Sequence, residues 1–201
     1  MAKIKLTKSE LKAQRQELER YQRFLPTLQL KKQQLQTETK RVRDRLNEVR
    51  EQEKRLWSGL EDWIALFSEQ AGIDDLLQVR RVEIGSYNVV GLSVPRLDRL
   101  EFEEVQVDPL ATPPWVDEGL EAVREAIRLS LTRQVLERQQ ELLQAELRRT
   151  TQRVNLFEKV KIPECKENIR VIQIALGDLQ TMAVARAKLA KAKLQERTSS
   201  V

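Results

Sequence analysis

The sequence predicts a mainly α fold, a long antiparallel two-helix coiled coil with a small β element inserted between its helices. Three features predict it. An apolar seam repeats every 3.5 residues from Leu11 to Phe67, a second helical pattern fills the C-terminal half, and the residues between them change period. One seam column reads Tyr21, Leu28, Leu35, Val42, Val49, Leu56, Trp63; the other reads Leu11, Leu18, Leu25, Lys32, Thr39, Leu46, Glu53, Leu60, Phe67. A helix of that length would extend roughly 90 Å, more than a small globular core can cover, so a second helix must run beside it.

Composition agrees with long helices. Of 201 residues, 33% are charged and only 4% aromatic, a profile unlike that of a thick-cored enzyme. The division that follows is an N-terminal coiled-coil helix over 1–72, a β-containing insert over 73–111 and a C-terminal coiled-coil helix over 112–201, forming one continuous rod.

The first helix is expected to start at Thr7. Its hydroxyl can cap, Glu10 can return the bond three residues on, and Leu6 can pack on Leu11. Pro26 falls inside the seam and predicts a kink rather than an end, because the columns continue in register. Lys32, Thr39 and Glu53 occupy seam positions either by snorkelling or because they fix the register or meet a third chain. The stripe widens through Leu56, Trp57, Leu60, Trp63, Ile64, Leu66 and Phe67, and Ala71-Gly72-Ile73 reads as a glycine stop.

From 79 to 109 the period shortens. Val82 and Ile84 alternate with polar residues, and Tyr87–Val94 is rich in β-branched side chains. Leu100, Phe102, Val105 and Val107 follow among acids. Gly85-Ser86, Gly91 and Pro95 punctuate this stretch, predicting two or three short strands. The second helix can start with Thr112 as cap and Pro113 behind it, or with Asp117 as cap. Its apolar pattern runs Leu120, Val123, Ile127, Leu131, Val135, then shifts into Leu136, Leu143, Leu147, Val154, Phe157. After Pro163 it resumes as Ile169, Ile172, Leu176, Leu179 and Ala183.

Charge is unevenly spread. Residues 1–32 hold nine Lys and Arg against three acids, and residues 181–201 five against one, while residues 83–121 hold nine acids against Arg96 and Arg99. Antiparallel pairing would set residues 7–25 beside 180–197, so both basic ends would meet at one tip and the acidic β unit would sit near the other. Two basic segments converging on one tip favour an acidic or carbonyl-lined partner.

Enzyme chemistry has little to work with. There is no histidine, one cysteine (Cys165) and no phosphate-cradling glycine loop with its lysine. Cys165 lacks an activating base and reads as a structural thiol. No catalytic residue, metal or cofactor is expected, and the chain is not expected to be an enzyme by itself. No apolar run approaches the ~20 residues that span a bilayer, so the chain reads as cytoplasmic and is not inserted in the membrane.

Several segments resemble the D subunit of V-type (A/V-type) rotary ATPases. They are Lys5-Leu6-Thr7-Lys8, Leu25-Pro26-Thr27-Leu28-Gln29-Leu30-Lys31-Lys32, and Gly91 with Val94-Pro95. Further along come Arg149-Thr150-Thr151-Gln152-Arg153-Val154-Asn155 with Glu158, Ile162 and Pro163, then Arg186-x-Lys188 and Lys191-x-Lys193. The resemblance spans nearly the whole chain in order, and the T-T-x-R-V-N block is its most specific part. Ala185, Ala187 and Ala190 depart from it, standing where larger apolar residues are common.

The resemblance implies the central-stalk shaft of a V-type ATPase or ATP synthase, which couples ATP turnover to proton or sodium transport by rotation. The implied partners are the catalytic A and B subunits of the head, the small F subunit and the adaptor on the membrane ring, with no nucleic acid. Lys3, Lys5, Lys8, Lys12, Arg186, Lys188, Lys191 and Lys193 would form a charged bearing in the head. The implied location is cytoplasmic, peripheral to the membrane. The alternative is a homodimeric coiled-coil scaffold or a basic-tipped nucleic-acid-binding rod.

Overall fold

A computed structural model describes residues 4–68, 76–103 and 113–199. Helix α1 runs Lys8–Leu60, a 3-10 turn Ile64–Ser68, strands β1 Val79–Val89 and β2 Leu92–Phe102, and helix α2 Val116–Asn155. A π turn, Leu156–Lys161, then leads into helix α3, Ile162–Ser199. The fold is mainly helical, with one two-stranded antiparallel sheet between the helices. The chain divides into two compact units, Lys31–Arg149 and the pair Met1–Leu30 with Thr150–Val201.

In Lys31–Arg149 the seam explains the core. Leu35, Val42, Leu46 and Val49 of α1 are buried against Leu129, Leu136 and Leu143 of α2. Their spacings of seven, four and three place them on one stripe of α1. Thr39 and Glu53 fall on that stripe too. Thr39 satisfies its hydroxyl by donating to the Leu35 carbonyl at 2.7 Å. Glu53 accepts from Arg133 Nε at 3.0 Å, Arg133 reaches Glu137, and Glu137 accepts from Arg50 at 3.1 Å. Four charges thus link α1 to α2, with Lys31–Glu146 a further link at 2.8 Å. Of the two readings of Glu53, the cross-helix ion pair matches register fixing.

The Arg50 hydrogen bond, with smaller help from Arg133, holds the Glu137 carboxyl below its ordinary value against the opposing effect of burial. A depressed carboxylate stabilises the fold above its unfolded pKa and loses that contribution as pH falls through its folded value. Wild type should therefore lose more stability than Glu137→Gln between pH 7 and pH 3, below about pH 4.3 where free Glu titrates. Urea midpoints at the two pH values measure the difference. The loss is small because the carboxylate is 35% exposed and solvent screens it.

The β element is a single hairpin of two long strands. Only Val90-Gly91 turns; Gly85, Ser86 and Pro95, expected as punctuation, lie inside the strands. Val90 and Gly91 have φ of 51° and 83°, the two left-handed residues of a type I′ turn, and Asn88 Oδ1 accepts from the Gly91 amide at 2.8 Å. A β-branched residue in this region is strained, and Val90 is held there by packing on the core. Val105 and Val107, offered as strand residues, lie outside the described residues, as does the Ala71-Gly72-Ile73 stop.

The hairpin lies along the helices of its own unit. Tyr87, Val89, Leu92 and Val94 share its inner face and join the cluster of Leu35–Val49 and Leu129–Leu143. Gln139, buried on α2, donates Nε2 to the Pro95 carbonyl at 2.6 Å. Alternation on the strands makes an apolar face, and burying it requires the hairpin to lie along the helices.

Regular α1 ends at Leu60, before the widened stripe does. Trp63 stacks on Phe67 with centroids 5.5 Å apart, and Phe67 meets Trp115 at 5.3 Å. A Cβ on Gly119 would stand 3.2 Å from the Trp115 ring and 3.4 Å from Phe67, so a bare α-carbon makes room for the aromatic group. Helix α2 starts at Val116, fully buried, with Asp117 and Glu118 in its first turn where the helix dipole favours acids. Neither proposed cap is its first residue, and Thr112 lies outside the described residues.

In the other unit, Thr7 caps α1. Its hydroxyl accepts from the Glu10 amide at 3.3 Å and its carbonyl from Leu11. The Glu10 side chain bonds Gln14 instead of closing a capping box. The helix continues through Pro26. Against it run the π turn and α3, with Tyr21 edge-on to Phe157 at 4.9 Å and Asn168 donating to Gln14 at 3.2 Å. Thr150, Val154, Cys165 and Ile172 are buried. A continuous heptad from Val154 would reach position 164; the extra residue of the π turn delivers Cys165 to the seam and turns Glu164 outward. Burial, with Glu17 and Glu164 nearby, raises the Cys165 thiol, in keeping with a structural role.

Candidate functional site

The basic residues are where a partner surface was expected, and α1 and α3 fix their positions. Lys5, Lys8 and Lys12 are exposed at the start of α1, and Arg186, Lys188, Lys191 and Lys193 on the last turns of α3. Lys3 lies outside the described residues. None of the seven described cations pairs with an acid among the described residues.

The two groups do not lie side by side. Gln14 is level with Asn168 and Tyr21 with Phe157, so Lys8 is level with about position 174. Residues 7–25 therefore flank the π turn and the first half of α3, not 180–197. The expectation assumed that both helices end together. Instead, α1 is stopped by its Thr7 cap, while α3 carries the Ala-rich stretch onward to Ser199. Every residue from Gly177 to Gln195 is solvent-exposed, including Leu179 (57%), Met182, Val184, Leu189 and Leu194.

The seam residues fall as follows. Leu35, Val42, Val49, Leu143, Val154 and Ile172 are buried; Tyr21, Leu28, Leu56, Trp63, Leu147, Phe157, Ile169 and Leu176 are half-buried; Leu179 is exposed. The sequence reading missed Gln139 and Thr150, both polar and buried. Their signal was positional: Gln139 lies three after Leu136 and four before Leu143, and Thr150 seven after Leu143. Among the described residues no group of acids or Cys could hold a metal ion, and no helix is long and apolar enough to cross a membrane.

A family model described as the ATP synthase D subunit matches residues 10–192. The chain belongs to the ATP synthase D-subunit family. Relatives named as the D subunit of V-type ATP synthase are similar to it over nearly their whole length. One from Borreliella burgdorferi is 45% identical over 96% of this chain and 96% of its own length. Others, from Chlamydia felis at 34% and Chlamydia abortus at 33%, each cover 98% of this chain and 96% of their own. The family match takes in the hairpin, the π turn and Arg186–Lys191, so these features lie within the part of the chain that the D-subunit family shares.

Proposed function

We propose that the chain is the central-stalk shaft of a V-type ATPase or ATP synthase, a non-catalytic subunit. On this reading it couples ATP hydrolysis or synthesis in the head to proton or sodium transport. Its partners are the catalytic A and B subunits, the small F subunit and the adaptor on the membrane ring. It lies on the cytoplasmic side, held to the membrane through the complex. The observation that carries the reading, beside family membership, is the end of α3. There Arg186, Lys188, Lys191 and Lys193 stand exposed beyond the start of α1, with no acidic partner among the described residues.

In this role the chain does no bond chemistry. An uneven helix pair presents different faces to three equivalent catalytic interfaces, and its orientation biases which one is open. The α3 cations form the sliding contact, with Lys8 and Lys12 in a separate basic zone about 18 Å or more away along the axis and Lys5 between the two. Sliding requires many weak contacts rather than a few strong ones, and exposed charges supply about 0.2–1 kcal/mol each.

A single substitution at the α3 end is therefore expected to be mild, and concerted reversal severe. Changing Arg186, Lys188, Lys191 and Lys193 together to Glu should lower ATP turnover of the assembled complex at least about tenfold, equivalent to about 1.4 kcal/mol. Assembly and turnover equal to wild type would contradict the bearing role.

A further inference from the structure

We propose that the stretch of the N- and C-terminal unit where the Gln22–Pro26 gap in α1 adjoins the level of the π turn is a compliant joint. The helix pair yields there in twist and bend, while the levels on either side keep their register.

Helix stiffness comes from an unbroken ladder of hydrogen bonds and from a close-packed seam, and both thin out together here. Pro26 has no amide hydrogen, so the Gln22 carbonyl lacks the helical donor four residues on. Tyr21, the residue before Gln22, touches Phe157, the second residue of the π turn. In that turn the ladder is re-paired one residue longer, Ile162 donating to the Phe157 carbonyl. Pro163 then withholds a further donor. Proline and the π turn are two of the few causes of helix bending, and three such features follow one another within about 16 Å along two facing helices.

The packing is equally sparse. No residue of α1 from Lys8 to Leu30 is buried, and the facing helix has none between Val154, opposite the gap, and Cys165. The aromatic contact is edge-on with rings 60° apart, a geometry that holds over a broad range of separations and so resists sliding weakly. The ion pairs beside this level, Arg20–Glu17 and Lys161–Glu164, stay within their own helices and do not tie the two together. On the side toward the free ends, the pair closes again through Cys165, Ile172 and the Gln14–Asn168 bond.

The property belongs to the chain alone and does not need the shaft reading. If that reading holds, twist would collect at this level during rotation. Hydrogen exchange on the isolated full-length chain tests the joint separately from turnover in the complex. Amides at 156–162 should exchange at least about tenfold faster than those at 140–150 and also faster than those at 165–172. That local maximum distinguishes a joint from fraying, which rises steadily toward the ends. Pro26→Ala, which restores the donor to Gln22, should slow exchange at 20–25 about tenfold and leave 140–150 unchanged. A profile rising steadily to the ends, or a Pro26→Ala variant that exchanges like wild type, would overturn the proposal.

Discussion

Truncating Leu143 to alanine should lower stability by about 3–5 kcal/mol, the upper part of the range for a large-to-small change in a packed core. Leu143 is fully buried at the level where α1, α2 and the hairpin meet, in one cluster with Leu35, Val42 and Val94. Three elements fixed by one another cannot easily collapse into the space left behind, so the cavity cost adds to the lost burial. Urea unfolding measures the change, and Leu179→Ala supplies the contrast. Leu179 is 57% exposed, and its truncation should cost under about 0.5 kcal/mol. A cost below about 1 kcal/mol at Leu143 would mean that the hairpin and helices do not share this core.

Replacing Gln139 with leucine should cost about 1 kcal/mol, because the half-buried Pro95 carbonyl loses its donor and nothing apolar replaces that bond. The effect should be local as well as energetic. Gln139 ties α2 to β2 at 2.6 Å, so its loss should loosen the hairpin before the helix pair. Limited trypsin digestion reports this directly, since Arg96 and Arg99 lie on β2 and are exposed. Cleavage there should accelerate in Gln139→Leu while cleavage within α1 does not. Equal rates at both places would show that the amide contributes nothing particular to docking.

These two residues also mark what the sequence could and could not convey. The stripe of α1 was legible because seven-residue recurrence is a property of one helix, readable without knowing its partner. The Thr7 start was legible for the same reason: a cap acts within a single turn. The π turn was not. A Pro163 in an apolar pattern signals an interruption, but only the burial of Cys165 rather than Glu164 reveals that one residue has been inserted. The docking of the hairpin was hidden because its inner face is set by alternation, while the surface that receives it belongs to two distant helices. Gln139 looks like any polar residue of a Gln-rich helix until Pro95 is placed against it.

The relative position of the two basic segments is a longer-range matter still. It depends on where α1 is capped, how far the alanine-rich end of α3 continues and how many residues the π turn adds. Each is a local fact, and only their sum separates Lys8 from Arg186. The separation changes the expected bearing from one compact tip to two basic zones, of which the outer belongs to α3 alone.

Rotation itself is the most direct test of the shaft assignment. With the catalytic head fixed to a surface and a bead attached to this chain through an added cysteine on its hairpin, ATP should drive unidirectional turning of the bead. A complex that hydrolyses ATP while the bead stays fixed relative to the head would contradict the assignment.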